Sequence, residues 1–103
     1  MSANPVRGEA AIFVGGAELV LRPTFQALVA AEGELGSLFA LVERAAEGRL
    51  TQSEVAGLFW QCLEARPDEL TRERVGEAVA QMGLARCAPV LKGLLRQILQ
   101  GAV

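Results

Sequence analysis

Apolar and polar residues alternate with a period of two near the start of the chain and recur at helical spacing after it. Ile12 and Val14 alternate with their neighbours, as do Leu19 and Leu21, which is the pattern of half-buried strands. Gly15-Gly16 lies between them, a two-residue connection in which both positions tolerate the positive φ of a tight hairpin turn. The spacing predicts a β-hairpin over residues 8–22. Phe13 faces away from Ile12 and Val14, so either Phe13 or that pair is left near the surface as a plausible docking point. Pro23 lacks an amide hydrogen and ends strand pairing, and Thr24 offers its hydroxyl as an N-cap.

From Thr24 onward the stripes are helical. Phe25, Leu28 and Val29 share one face of a first helix, Phe25 to Glu32, which Gly33 is expected to stop. Ser37 caps a second helix with Leu38, Leu41, Val42 and Ala45, and Gly48 suits its C′ position. Thr51-Gln52-Ser53-Glu54 is a capping box, and the third helix carries Val55, Leu58, Phe59, Cys62 and Leu63 as its stripe. Arg66-Pro67-Asp68 breaks it. Thr71 opens a short fourth helix with Val75, Val79 and Met82, Gly76 in its interior and Gly83 at its end. Pro89 suits a first helical position, so the last helix is expected from about Ala88. A lone hairpin is marginally stable and must lie on something apolar. The expected fold is therefore α+β: an N-terminal β-hairpin packed on a bundle of about five short α-helices. It is read as a single domain over residues 1–103, with a flexible lead-in at 1–7 and the bundle at 24–100.

Three features exceed what a small bundle needs. On the last helix Leu91, Leu94, Leu95, Ile98 and Leu99 spread the apolar face over about half the circumference, where a surface helix needs roughly 100°. The excess goes under a neighbouring helix, as plain core, or into a partner. Glu32 falls inside the apolar stripe of the first helix and near its C-terminus, where the macrodipole disfavours a carboxylate. Either its stem packs and its head reaches solvent or an arginine such as Arg22, or its charge fixes register against a second copy or a partner. Trp60 is the only tryptophan and lies off the main stripe of its helix, as a packing residue or as an interface anchor.

The chain is 51% hydrophobic with a mean hydropathy of +0.31, but much of that is alanine. Its net charge is −2. Residues 1–65 hold four Arg against eight Glu, and residues 66–103 hold six basic against four acidic residues. A surplus of two positive charges is not the concentrated basic face that phosphate neutralisation requires, which argues against nucleic-acid binding. No apolar run approaches the ~20 residues that span a bilayer, and residues 1–10 carry no hydrophobic signal region. The expected compartment is the cytoplasm. Cys62 and Cys87 are not in a Cys-x-x-Cys and there is no histidine, so a closed zinc site lacks ligands and two reduced thiols are expected.

No catalytic pattern is visible. Without histidine a Ser or Cys nucleophile needs another base, and neither Ser37 nor Ser53 lies in a Gly-x-Ser-x-Gly turn. Glu32 with Glu34, and Asp68 with Glu69, read as solvated charges. Gly33 to Gly36 and Gly15-Gly16 lack the lysine and strand–helix context of a phosphate loop. No enzyme activity, cofactor or metal is expected.

A resemblance is carried by Gly8-Glu9, the Gly15-Gly16 turn, Leu21-Arg22-Pro23-Thr24-Phe25, Ala27-Leu28, Glu32 and Gly36. Together they resemble the small tail-assembly chaperone family encoded by gene transfer agents and related tailed phages. Gly48-Arg49-Leu50-Thr51 is similar to that family's "aGrLs" helix junction, and past Arg66 the similarity is generic. The resemblance implies a non-catalytic factor that associates with the long, apolar, helical tape-measure protein until tail-tube subunits replace it. The periodicity, independently, offers Leu91, Leu94, Leu95, Ile98 and Leu99 as a partner surface, with Phe13 and Trp60 as further candidates. Pairing between copies through the hairpin edges is a further possibility. The alternative expectation is a structural tail-completion or connector subunit retained in the particle. A helical regulator with weak DNA affinity is the third, and it predicts steeply salt-dependent binding.

Overall fold

The computed structural model describes residues 10–100; the lead-in and the expected first hairpin residues, Gly8 and Glu9, lie outside the described residues. Strands β1 (Ala10–Val14) and β2 (Ala17–Leu21) pair antiparallel, with Val14 opposite Ala17 across the glycine turn. Gly15 and Gly16 have φ of 58° and 83°, the two positive angles of a type I′ turn. This register turns Ile12 and Leu21 into the core and Phe13 out to solvent. The Glu64 amide donates to the Val20 carbonyl at 3.0 Å and the Arg22 amide to the Cys62 carbonyl at 2.6 Å, so the outer edge of β2 is bridged by the chain leaving the third helix.

Five helices follow among the described residues: α1 (Phe25–Leu35), α2 (Leu38–Ala46), α3 (Gln52–Cys62), α4 (Arg72–Met82) and α5 (Leu84–Gln100). The fold is the α+β arrangement that the spacing predicts. Thr24, Ser37, Thr51 and Thr71 each accept an amide of the first turn, and Thr51 with Glu54 completes the reciprocal capping box. Helix α3 is central. Every residue from Val55 to Phe59 is buried, and Phe59, Leu58, Ile12, Leu21, Leu41 and Leu94 are among the largest fully enclosed side chains.

Two boundaries differ from expectation. Helix α1 runs through Gly33 and ends at Gly36, whose φ of 87° breaks the helix. A helical glycine costs only about 1 kcal/mol relative to alanine, so Gly33 alone does not stop the helix. Helix α5 begins at Leu84 and not near Ala88, with Pro89 inside it. Proline forfeits one backbone bond. The added turn compensates by burying Cys87, whose Sγ reaches the Val79 carbonyl of α4 at 3.8 Å.

Gly76 lies mid-helix in α4, and a Cβ built there meets nothing within 4 Å. Gly76→Ala is expected to stabilise the protein by about 0.5–1 kcal/mol through the unfolded chain and helix propensity. A thermal melt checks this, at about 4–8 °C per kcal/mol for a domain of this size.

Candidate docking face

Helix α1 turns its large side chains outward. Its buried residues are Ala27 and Ala31, whereas Phe25 is 83% and Val29 51% exposed. With Phe25 at 0°, Glu34, Ala27 and Ala31 lie at ~180–240°, opposite Phe25, Val29 and Glu32. The stripe of Phe25, Leu28 and Val29 that reads as a core face in the sequence is thus largely a surface one; only Leu28 is half-buried. The two alanines let α1 lie close on α3. Glu34 lies on the same side: it accepts from Gln61 Nε2 of α3 at 3.0 Å and forms an ion pair with Arg72 of α4. Gly57 of α3 makes room for that pair, since a Cβ there would stand 2.6 Å from Glu34 Oε2 and 2.8 Å from Arg72 Nη2.

Glu32 does not need an arginine to account for its position. Its Oε2 accepts from the Leu38 amide at 3.3 Å, so it caps the start of α2 from the exposed side of α1. The favourable amide dipoles at the α2 N-terminus offset the unfavourable end of its own helix.

Helix α2 continues the apolar surface. Phe39, in its first turn, is 80% exposed. Leu28, Glu32, Leu38, Phe39, Val42, Ile98 and Leu99 line an open cavity of about 240 Å³ where α1, α2 and α5 meet. A second cavity of about 420 Å³ runs along the α2–α5 seam and shares Val42 and Leu99 with the first. Ala45, Leu91 and Leu95 form its floor and Lys92 and Arg96 its rim on α5. One continuous face therefore runs from Leu28 through Phe39 and Leu99 to the basic rim.

The candidate surface of α5 divides. Leu94 has no exposure and Leu95 is buried, so Leu94 belongs to the core and Leu95 only floors the cavity. Leu91 and Ile98 are half-buried along the seam, and Leu99 is 60% exposed. Half of the wide stripe covers α4 and the hairpin, and the other half opens on the groove. Phe13 is exposed on the outer face of the hairpin, apart from both cavities. Trp60 is half-buried; the Arg66 guanidinium sits 4.3 Å from its ring centroid and donates to its carbonyl at 3.0 Å. That stacking occupies one face of the indole.

Sequence reasoning missed Phe25, Val29 and Phe39 as surface residues. The available signal was the second stripe of α1, Ala27 and Ala31 at i and i+4, facing a helix that itself carries Ala56 and Gly57. Small residues on two neighbouring helices mark a close approach, and they leave the large ones outside.

Elsewhere the titrating groups serve the fold. Burial pushes the Cys62 thiol up to about 12 and raises Cys87 as well, so both free thiols stay protonated. The Glu54 carboxyl is held below its ordinary value, first by the Thr51 amide and then by Arg44, whose Nη1 stands 2.5 Å away. A depressed carboxyl stabilises the fold above its unfolded value near 4.5, and that contribution is lost as pH falls through the folded value. Glu54→Gln is expected to flatten the acid limb of stability below about pH 4.5, checked by melts of both proteins from pH 3 to 7.

No single helix among the described residues is long and apolar enough to cross a membrane; α1 and α2 together reach that length and composition, but they are bent by 76°. No curated protein and no solved structure matches the chain significantly. Residues 7–101 match the model of a family described as "Phage tail tube protein, GTA-gp10", so the match extends well past Arg66 and through the last helix. The chain, hairpin and helices alike, belongs to this family of phage tail proteins.

Proposed function

We propose that the protein is a non-catalytic tail-assembly chaperone that holds apolar helical segments of the tape-measure protein during tail assembly. The observation that carries this reading is the continuous apolar face of α1, α2 and α5, with Phe39 and Leu99 each more than half exposed and with Val42 and Leu99 shared by both cavities. Exposed patches of this kind mark docking sites in soluble proteins, and aromatic anchors dominate their energetics. An amphipathic helix laid along the α2–α5 seam buries its stripe against Val42, Leu91, Leu95 and Leu99. The rigid helices hold that groove open, so little ordering cost opposes binding.

A second reading, a subunit retained in the tail, is favoured by the family's description as a tail tube protein and by the outer edge of β1. Among the described residues, no hydrogen bond occupies the outward amides and carbonyls of Ala11 and Phe13, which are open to strand addition. Co-expression with the tape-measure protein encoded nearby tests the first reading: soluble tape-measure protein that co-purifies with the chain supports it. Mass spectrometry of purified particles separates the two. A chaperone is missing from finished particles, and a subunit is present at fixed stoichiometry.

A further inference from the structure

The docking face carries charge of opposite sign at its two ends. On the α1 side the only charged residue lining either cavity is Glu32, whose Oε2 takes the Leu38 amide and whose other oxygen is uncommitted among the described residues. On the α5 side the lining charges are Lys92 and Arg96, one helical turn apart, and neither makes an ion pair among the described residues. The remaining charges of these helices stay out of both cavities: Glu34 is engaged by Arg72 and Arg44 by Glu54, while Glu43 and Arg86 line neither. Between the two ends the face is apolar, centred on Phe39, Val42 and Leu99.

A surface that is acidic at one end, basic at the other and apolar between is complementary to itself under a two-fold rotation. We infer that a second copy of this chain covers the face in the free protein, with Glu32 of each copy meeting Lys92 and Arg96 of the other. Such an interface is isologous and closes at two copies, so it forms a dimer and not a filament. It buries Phe39 and Leu99 of both copies at its centre, where desolvation is greatest, and leaves the ion pairs at the rim to set orientation. The inference uses the same face as the chaperone reading and adds a regulation to it: the tape-measure segment must displace the second copy, so the free protein does not expose its apolar groove.

Charge reversal tests this. Sedimentation velocity of the wild type across a wide concentration range is expected to show association from 10.9 kDa to twice that mass. Glu32→Lys, and separately Lys92→Glu with Arg96→Glu, are each expected to weaken the dimer at least about tenfold by placing like charges together. An equimolar mixture of the two variants restores both sets of pairs and is expected to re-form a dimer of one of each. Glu32→Gln keeps the acceptor for the Leu38 amide and controls for loss of the cap; it is expected to weaken the dimer less than Glu32→Lys does. A wild type that stays monomeric at millimolar concentration overturns the inference, as does a mixture that fails to associate while both variants melt like the wild type. Neither failure touches the chaperone reading, which is scored on capture of the tape-measure protein.

Discussion

Leu94→Glu is expected to unfold the protein, whereas Leu99→Glu on the same helix is expected to leave it folded. Leu94 has no exposure and stands in the core with Val75, Val79 and Leu58, while Leu99 is largely exposed at the groove. Removing a buried leucine costs about 2–5 kcal/mol, and an unpaired carboxylate in that space adds several more. The sum approaches or exceeds the roughly 5–15 kcal/mol that holds a domain of this size together. At Leu99 the same substitution places a charge on the exposed face of the single chain, and changes of this kind alter the stability of that chain by no more than about 0.5 kcal/mol. Far-UV circular dichroism and thermal melts check both. The contrast bears on function: a binding test that used Leu94 would measure folding, and only the outer residues of α5 report on docking.

Phe59→Ala is expected to cost about 3–5 kcal/mol. Phe59 is the largest of the fully enclosed side chains, on the central helix, within the cluster that joins Ile12 and Leu21 of the hairpin to the other helices. Helix α3 touches α1 and α4, and the chain leaving it bridges the edge of β2, so a void here loosens the packing of all three. The capping box at Thr51 and the bridge of Leu63 to Leu21 tie both ends of the helix, and cores relax only partially around such a gap. Denaturant unfolding gives the loss directly as a lower midpoint with an unchanged slope.

The hairpin, the glycine turn and all four side-chain caps are legible in the sequence because each is set by local chemistry within a few residues. The stripe of α3 is legible for a related reason: a central helix buries whatever is apolar, and periodicity finds it. The rotation of α1 is not legible. Two apolar stripes compete on that helix, and the choice is made by the close packing of Ala27 and Ala31 with helices far along the chain, to which the Glu34–Arg72 pair adds a partly exposed contact. The start of α5 was hidden likewise, since Pro89 reads locally as a first-turn residue and only the burial of Cys87 against α4 explains the extra turn. The docking face was half visible. Periodicity singled out the apolar excess of α5, and passed over the exposed Phe25, Val29 and Phe39 of α1 and α2 because large apolar side chains at helical spacing are usually core.

The most direct measurement is the affinity of the protein for the tape-measure protein co-expressed with it, compared across three forms. These are the wild type, a variant with both Phe39→Glu and Leu99→Glu, and Phe13→Glu as an exposed apolar control off the face. The face variant is expected to keep the wild-type far-UV circular dichroism spectrum and lose about 1,000-fold in affinity, as two central anchors worth ~2 kcal/mol each would require. Phe13→Glu is expected to bind as the wild type does. Full binding by the folded face variant, or loss of binding through Phe13 alone, would contradict the assignment of the α1–α2–α5 face as the docking surface.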